Sequence, residues 1–89
     1  MSSALGLIET RAYVAAIAAA DAMLKAAQVE LLGGIKRTDP GLMTVTVTGE
    51  VAAVRSAVEA GAEEAARVGQ LVSAHVIARP ESGTDGLLR

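Results

Sequence analysis

The stretch Leu42-Met43-Thr44-Val45-Thr46-Val47-Thr48-Gly49 decides how this chain folds. Apolar Met43, Val45 and Val47 alternate with Thr44, Thr46 and Thr48, a period of two that belongs to a β-strand with one face in a core. Gly49 breaks the strand. Just before it, Lys36-Arg37-Thr38-Asp39-Pro40-Gly41 reads as a turn, because Asp-Pro-Gly is turn chemistry. Further upstream, Val29 to Ile35 reads as a second strand with Val29, Leu31, Gly33 and Ile35 on one face. Gly33-Gly34 inside it marks a bulge or a close backbone approach. The two strands and their turn form a hairpin.

The flanks extend this pattern. Ala4 to Glu9 is a short strand, with Leu5 and Leu7 alternating with Gly6 and Ile8, apolar enough to be central. Thr10 is the expected cap of a helix from Arg11 to Ala27, a segment of strong alanine propensity. Val14, Ile17, Asp21 and Leu24 recur there at helical spacing, an uneven buried stripe that leaves one side free to face a neighbouring subunit. Asp21 and Lys25 stand four apart with the acid first, the favourable order. Beyond the hairpin a second helix spans about 50–68. Its inner stripe is Val51, Val54, Val58, Ala65 and Val68, and Arg55, Glu59, Glu63 and Arg67 run along the outside. Gly69 supplies the stop. Leu71 to Ile77 is a last strand, ended by Arg79-Pro80, and the polar segment 81–89 reads as a flexible tail. The order is βαββαβ: one α+β domain over 1–80, a four-stranded antiparallel sheet with helices packed on it, of ferredoxin-like type.

Composition restricts what such a domain does. Its 89 residues are 52% hydrophobic and 20% charged, and a domain this small buries little more than ~60% of its unfolded surface. No apolar run is long enough to cross a membrane, and the N terminus lacks a secretory signal. The surplus apolar surface therefore points to an obligate oligomer. A net charge of −2 argues against nucleic acid as a partner. There is no cysteine, so no disulfide contributes, and with nineteen alanines, one tyrosine and no Phe or Trp the chain has little material for the walls of a ligand pocket.

Catalytic chemistry is equally sparse. His75 stands in a strand without a second His or a Cys, so no metal site is expected, and no cofactor. The serines show no base beside them, Glu59, Glu63 and Glu64 share a solvated helix face, and no phosphate loop is present. RNA-recognition modules of the same element order need strand aromatics, which are missing here. A regulatory amino-acid-binding domain of the ACT type remains an alternative.

Several segments, taken in order, resemble the hexamer-forming shell proteins of bacterial microcompartments. Ala4-Leu5-Gly6-Leu7-Ile8-Glu9-Thr10 is similar to the first strand of that family, and Ala19-Ala20-Asp21-Ala22-Met23-Leu24-Lys25-Ala26-Ala27 to its first-helix signature. Val45-Thr46-Val47-Thr48-Gly49-Glu50-Val51-Ala52-Ala53-Val54, Ala60-Gly61-Ala62 and His75-Val76-Ile77-Ala78-Arg79-Pro80 complete the resemblance over about 4–80. It implies a non-enzymatic tile: cyclic homohexamers joining edge to edge and with other shell proteins around enzymes in the cytoplasm. It also implies an inter-hexamer edge at Lys25 and Arg79, with Gln28 where the family usually has Asn.

The same resemblance implies a central pore at the hairpin turn, lined by Arg37, Thr38, Asp39, Pro40 and Gly41. The usual Lys-Ile-Gly-Ser-Gly loop is one residue longer here and loses an amide donor at Pro40. A ring of Asp39 carboxylates, offset by Arg37 nearby, is expected to admit small polar or cationic metabolites and to disfavour anions.

Overall fold

The computed structural model describes residues 3–78. Its elements are β1 (Ala4–Thr10), α1 (Tyr13–Ala26), β2 (Glu30–Leu31), β3 (Lys36–Asp39), β4 (Leu42–Gly49), α2 (Val51–Val68) and β5 (Leu71–Ala78). β1 lies centrally, antiparallel to β4 on one side and β5 on the other, and β2 and β3 both pair with β4. The α+β architecture with one antiparallel sheet follows the reading of the sequence. Its outer strand does not.

Residues 29–35 form no continuous strand, and Lys36–Asp39, expected in the turn, is itself strand. Leu31 pairs with Val47 and Lys36 with Thr44, so the four residues 32–35 stand opposite only Val45 and Thr46. Leu32 still donates its N–H to the Thr46 carbonyl at 2.8 Å. The chain then leaves the ladder through Gly33, whose φ of 66° is a left-handed conformation that glycine adopts without a Cβ clash. A Cβ on Gly34 would touch nothing within 4 Å, so the glycine pair makes a bulge and not a close approach. The turn proper is Pro40-Gly41. Proline holds φ near −65° and Gly41 has φ 76°, the combination a type II turn requires.

Every second residue of β1 points into the core: Ala4, Gly6, Ile8 and Thr10 are buried, and Leu5, Leu7 and Glu9 lie on the other face. Ile8, Met23, Val45, Val47 and Val54 are the largest buried apolar side chains, packed among Ala16, Ala19, Ala57 and Ala65. Small residues at the helix contacts let the backbones approach closely, and Ala19 O lies 3.2 Å from where a Cβ of Gly61 would stand.

Thr10 does not cap α1. It is still part of β1, and its hydroxyl donates to the Ala12 carbonyl at 3.0 Å, whereas a cap accepts from a helix amide. The helix accordingly starts after Ala12. α2 stops as expected at Gly69, φ 87°, with Gly69 N–H bonded to Ala66 O at 2.9 Å and Gln70 N–H to Ala65 O at 3.1 Å, a Schellman pair.

Candidate functional site

Four surfaces stand out on this fold: the β3–β4 hairpin, the C-terminal end of α1, the outward side of α1, and the side of the sheet away from the helices. The hairpin is built by alternation. Lys36 pairs with Thr44 and Arg37 with Met43, so Lys36 shares the sheet face of the threonines and Arg37 shares the face covered by the helices. Thr38 returns to the threonine side, where its Oγ1 lies 3.2 Å from Thr44 Oγ1. A register shift between Arg37 and Asp39 then sets Asp39 opposite Leu42, on the Thr44 side as well. Residues 36–41 are all exposed.

The offset of Asp39 by Arg37 expected from the sequence is therefore not made within one chain. The two charges project from opposite faces of the hairpin, and among the described residues neither enters an ion pair. Lys36 does not take Arg37's place. Its side chain lies back over the bulge, with Nζ 3.5 Å from the position a Cβ on Gly33 would take.

At the end of α1, Lys25 Nζ sits 3.1 Å from Asp21 Oδ2, and both side chains are largely exposed. A cation in the last turn also suits the helix dipole. Gln28 is exposed two residues beyond the helix and, with Ser3, Val29, Glu30, Thr48 and Gly49, lines an open depression at that end of the sheet. Arg79 falls outside the described residues, as does the segment 81–89.

The outward side of α1 inverts the stripe read from the sequence. Val14, Ile17 and Leu24 are not core residues: Val14 is 66% and Ile17 47% exposed, and Tyr13 beside them is exposed too. The buried positions are Ala15, Ala16, Ala19, Ala20 and Met23, because a helix lying this close to α2 admits alanine where a longer side chain would collide. The larger apolar residues are thus displaced to the surface, Tyr13, Val14 and Ile17 together and Leu24 beyond the charged Asp21.

The second uncovered face is the side of the sheet away from the helices. The register brings Leu5 opposite Ile77, Leu7 opposite His75, and Glu9 opposite Ser73, with Thr44, Thr46 and Thr48 alongside. Ser73 donates its hydroxyl to Glu9 there. His75 is exposed on this face, and among the described residues no three His, Asp or Glu side chains gather as metal ligands. Composition points to surplus apolar surface, and the pairing register sets half-buried Leu5 and Leu7 on the same face as exposed Ile77.

The outer face of α2 is solvated, as its charges indicate. Arg67 binds Glu64 at 2.5 Å, and that hydrogen bond, helped by the guanidinium charge, holds the Glu64 carboxyl below its ordinary range. Among the described residues no helix is long and apolar enough to cross a membrane.

Known proteins resemble this chain in sequence and in fold. A family model for the BMC domain matches residues 4–80. The bacterial microcompartment shell protein EutM of Salmonella typhimurium is 57% identical over 77 residues, covering 86% of this chain and 79% of that one. The carboxysome shell protein CsoS1 of Prochlorococcus marinus is 57% identical over 81 residues, covering 90% of this chain and 78% of its own. Among solved structures, a microcompartment protein from Desulfitobacterium hafniense superposes with a TM-score of 0.78 at 42% identity, over 86% of this chain. The present chain spans 41% of that larger one.

Proposed function

This chain belongs to the BMC-domain family, and from that membership we propose that it is a structural shell protein of a bacterial microcompartment and not an enzyme. In this reading copies close into a cyclic hexamer, and hexamers meet edge to edge, with other shell proteins, as a layer around enzymes in the cytoplasm. The observation that carries the reading is the extent of the likeness. Relatives named as shell proteins align over nearly all of the folded body, with more than half of the residues identical. The alternative of an ACT-type regulatory domain gives way to this family assignment.

Physical chemistry supports the association independently. Tyr13, Val14, Ile17 and Leu24 of α1, and Ile77 on the open sheet face beside half-buried Leu5 and Leu7, are exposed to water in a lone subunit. A head-to-tail ring repeats one contact between unlike surfaces, so it can cover such a pair of faces on every copy. Each fully buried aliphatic side chain contributes about 1.5–3 kcal/mol.

In the finer reading Lys25, Gln28 and Arg79 line the seam between hexamers, and Arg37, Thr38, Asp39, Pro40 and Gly41 line a central pore for small polar metabolites. Native mass measurement and electron microscopy of Lys25→Ala test the seam. The variant should keep the mass of a hexamer and lose extended layers, and layers that persist unchanged would refute the assignment. For the pore, shells carrying Asp39→Asn should pass anions more readily than the parent shells, and equal passage would count against an Asp39 lining.

A further inference from the structure

The hairpin separates its charges by strand alternation, and this bears on what the pore does. Arg37 shares the face of Met43, toward the helices, whereas Asp39 shares the face of Leu42 and Thr44, on the open side of the sheet. Neither charge is neutralised nearby. Among the described residues no ion pair involves Arg37 or Asp39, and the Lys36 ammonium lies back over Gly33. A symmetric assembly repeats each of these positions once per subunit around its axis. Where the hairpin lines that axis with its sheet inclined to it, one face turns toward each side of the disc.

Resting on the pore reading above, we propose that the channel is electrically polar along its axis. A ring of Arg37 guanidinium groups stands at the mouth on the helix side, and a ring of Asp39 carboxylates stands at the mouth on the open side of the sheet. Rings of like charge in a narrow opening concentrate counter-ions and repel co-ions. The Arg37 mouth gathers small anions and the Asp39 mouth gathers small cations. The solute class this arrangement suits is a small dipolar molecule carrying both signs of charge, which meets a complementary ring at each end. A simple anion or cation is attracted at one mouth and repelled at the other. The register shift between Arg37 and Asp39 matters here, because it sets Asp39 opposite Leu42 on the face away from Arg37.

Crystals of the assembled protein soaked in bromide or in rubidium test this through anomalous scattering. Bromide is expected within the Arg37 ring and rubidium within the Asp39 ring, at opposite ends of the axis. Arg37→Gln should lose the bromide site and keep the rubidium site, and Asp39→Asn should do the reverse. Both substitutions are at exposed positions, so the fold tolerates them. Hexamers whose axis is not lined by residues 36–41 would sink the pore reading itself. A hairpin at the axis with both rings at one mouth, or with neither ion at its ring, would leave the pore standing and overturn its polarity.

Discussion

Gly61 of α2 lies so close to Ile8 of β1 that a methyl group added at position 61 would stand 2.6 Å from Ile8 Cδ1. Met23 Cγ of α1 would be 2.7 Å away, so one absent side chain lets both helices and the central strand meet. Gly6 has the same role one layer along: a Cβ there would meet Val58 Cγ2 at 2.5 Å and Val54 Cγ1 at 2.9 Å.

The two glycines should respond differently to alanine. Around Gly61 the obstacles are the end of Ile8, the Cγ of Met23 and the Ala19 carbonyl at 3.2 Å, but alanine recovers about 0.8–1 kcal/mol of helix propensity there. Around Gly6 they are helical valines confined to one rotamer. Overpacking costs about 1–3 kcal/mol, so Gly61→Ala should fall near the lower end after its propensity gain and Gly6→Ala near the upper. Urea midpoints of the two variants check the order, and a reversed ranking would show the valines to be more yielding than their geometry implies.

Met23 is fully buried between α1, α2 and β1. Met23→Ala leaves a cavity beside Ile8 and Gly61, where the glycine has no side chain to fill it. A loss of about 2–5 kcal/mol is expected, read as a lower denaturation midpoint at unchanged slope.

Ile17→Glu separates folding from association. Position 17 faces outward, so far-UV circular dichroism of the variant should match the parent. Sedimentation velocity should nevertheless show a smaller species, because a carboxylate on the apolar patch is costly to bury at an interface. An unchanged sedimentation coefficient would mean that this face of α1 stays in water after assembly.

The exposed pair of Glu64 and Arg67 predicts a small pH effect of definite sign. The folded pKa of Glu64 lies below its ordinary value of 4.5, so its contribution to stability is complete above that pH and fades as pH falls through the folded value. Arg67→Ala should narrow the difference between the melting temperatures at pH 6 and pH 3, by a small amount since surface pairs contribute little. Parallel pH profiles for the two proteins would remove the pair from the stability account.

Asp21→Ala isolates the role of the neighbour of Lys25. An exposed helical pair of this spacing contributes about 0.3–0.5 kcal/mol, so folding stability should barely change. If Asp21 holds the ammonium ready for the seam, layers of the variant should form only at higher protein concentration than those of the parent.

The sequence alone determined the α+β class, both helices, the strands β1, β4 and β5, the α2 stop at Gly69 and the family. Each depends on local periodicity, on a residue with a singular backbone preference, or on a run of identities. The tertiary structure decided what periodicity is blind to. Helical spacing marks Val14, Ile17 and Leu24 as one face of α1 but cannot say whether that face or the alanine face turns inward. The answer came from how closely α2 approaches at Gly61. Alternation likewise shows that Lys36, Arg37 and Asp39 are charged neighbours, while only pairing with β4, and the shift in its register, sets Arg37 and Asp39 on opposite faces. The physical reason is the same in both cases. Which side of an element is buried is fixed by the surface it packs against, and that surface lies elsewhere in the chain.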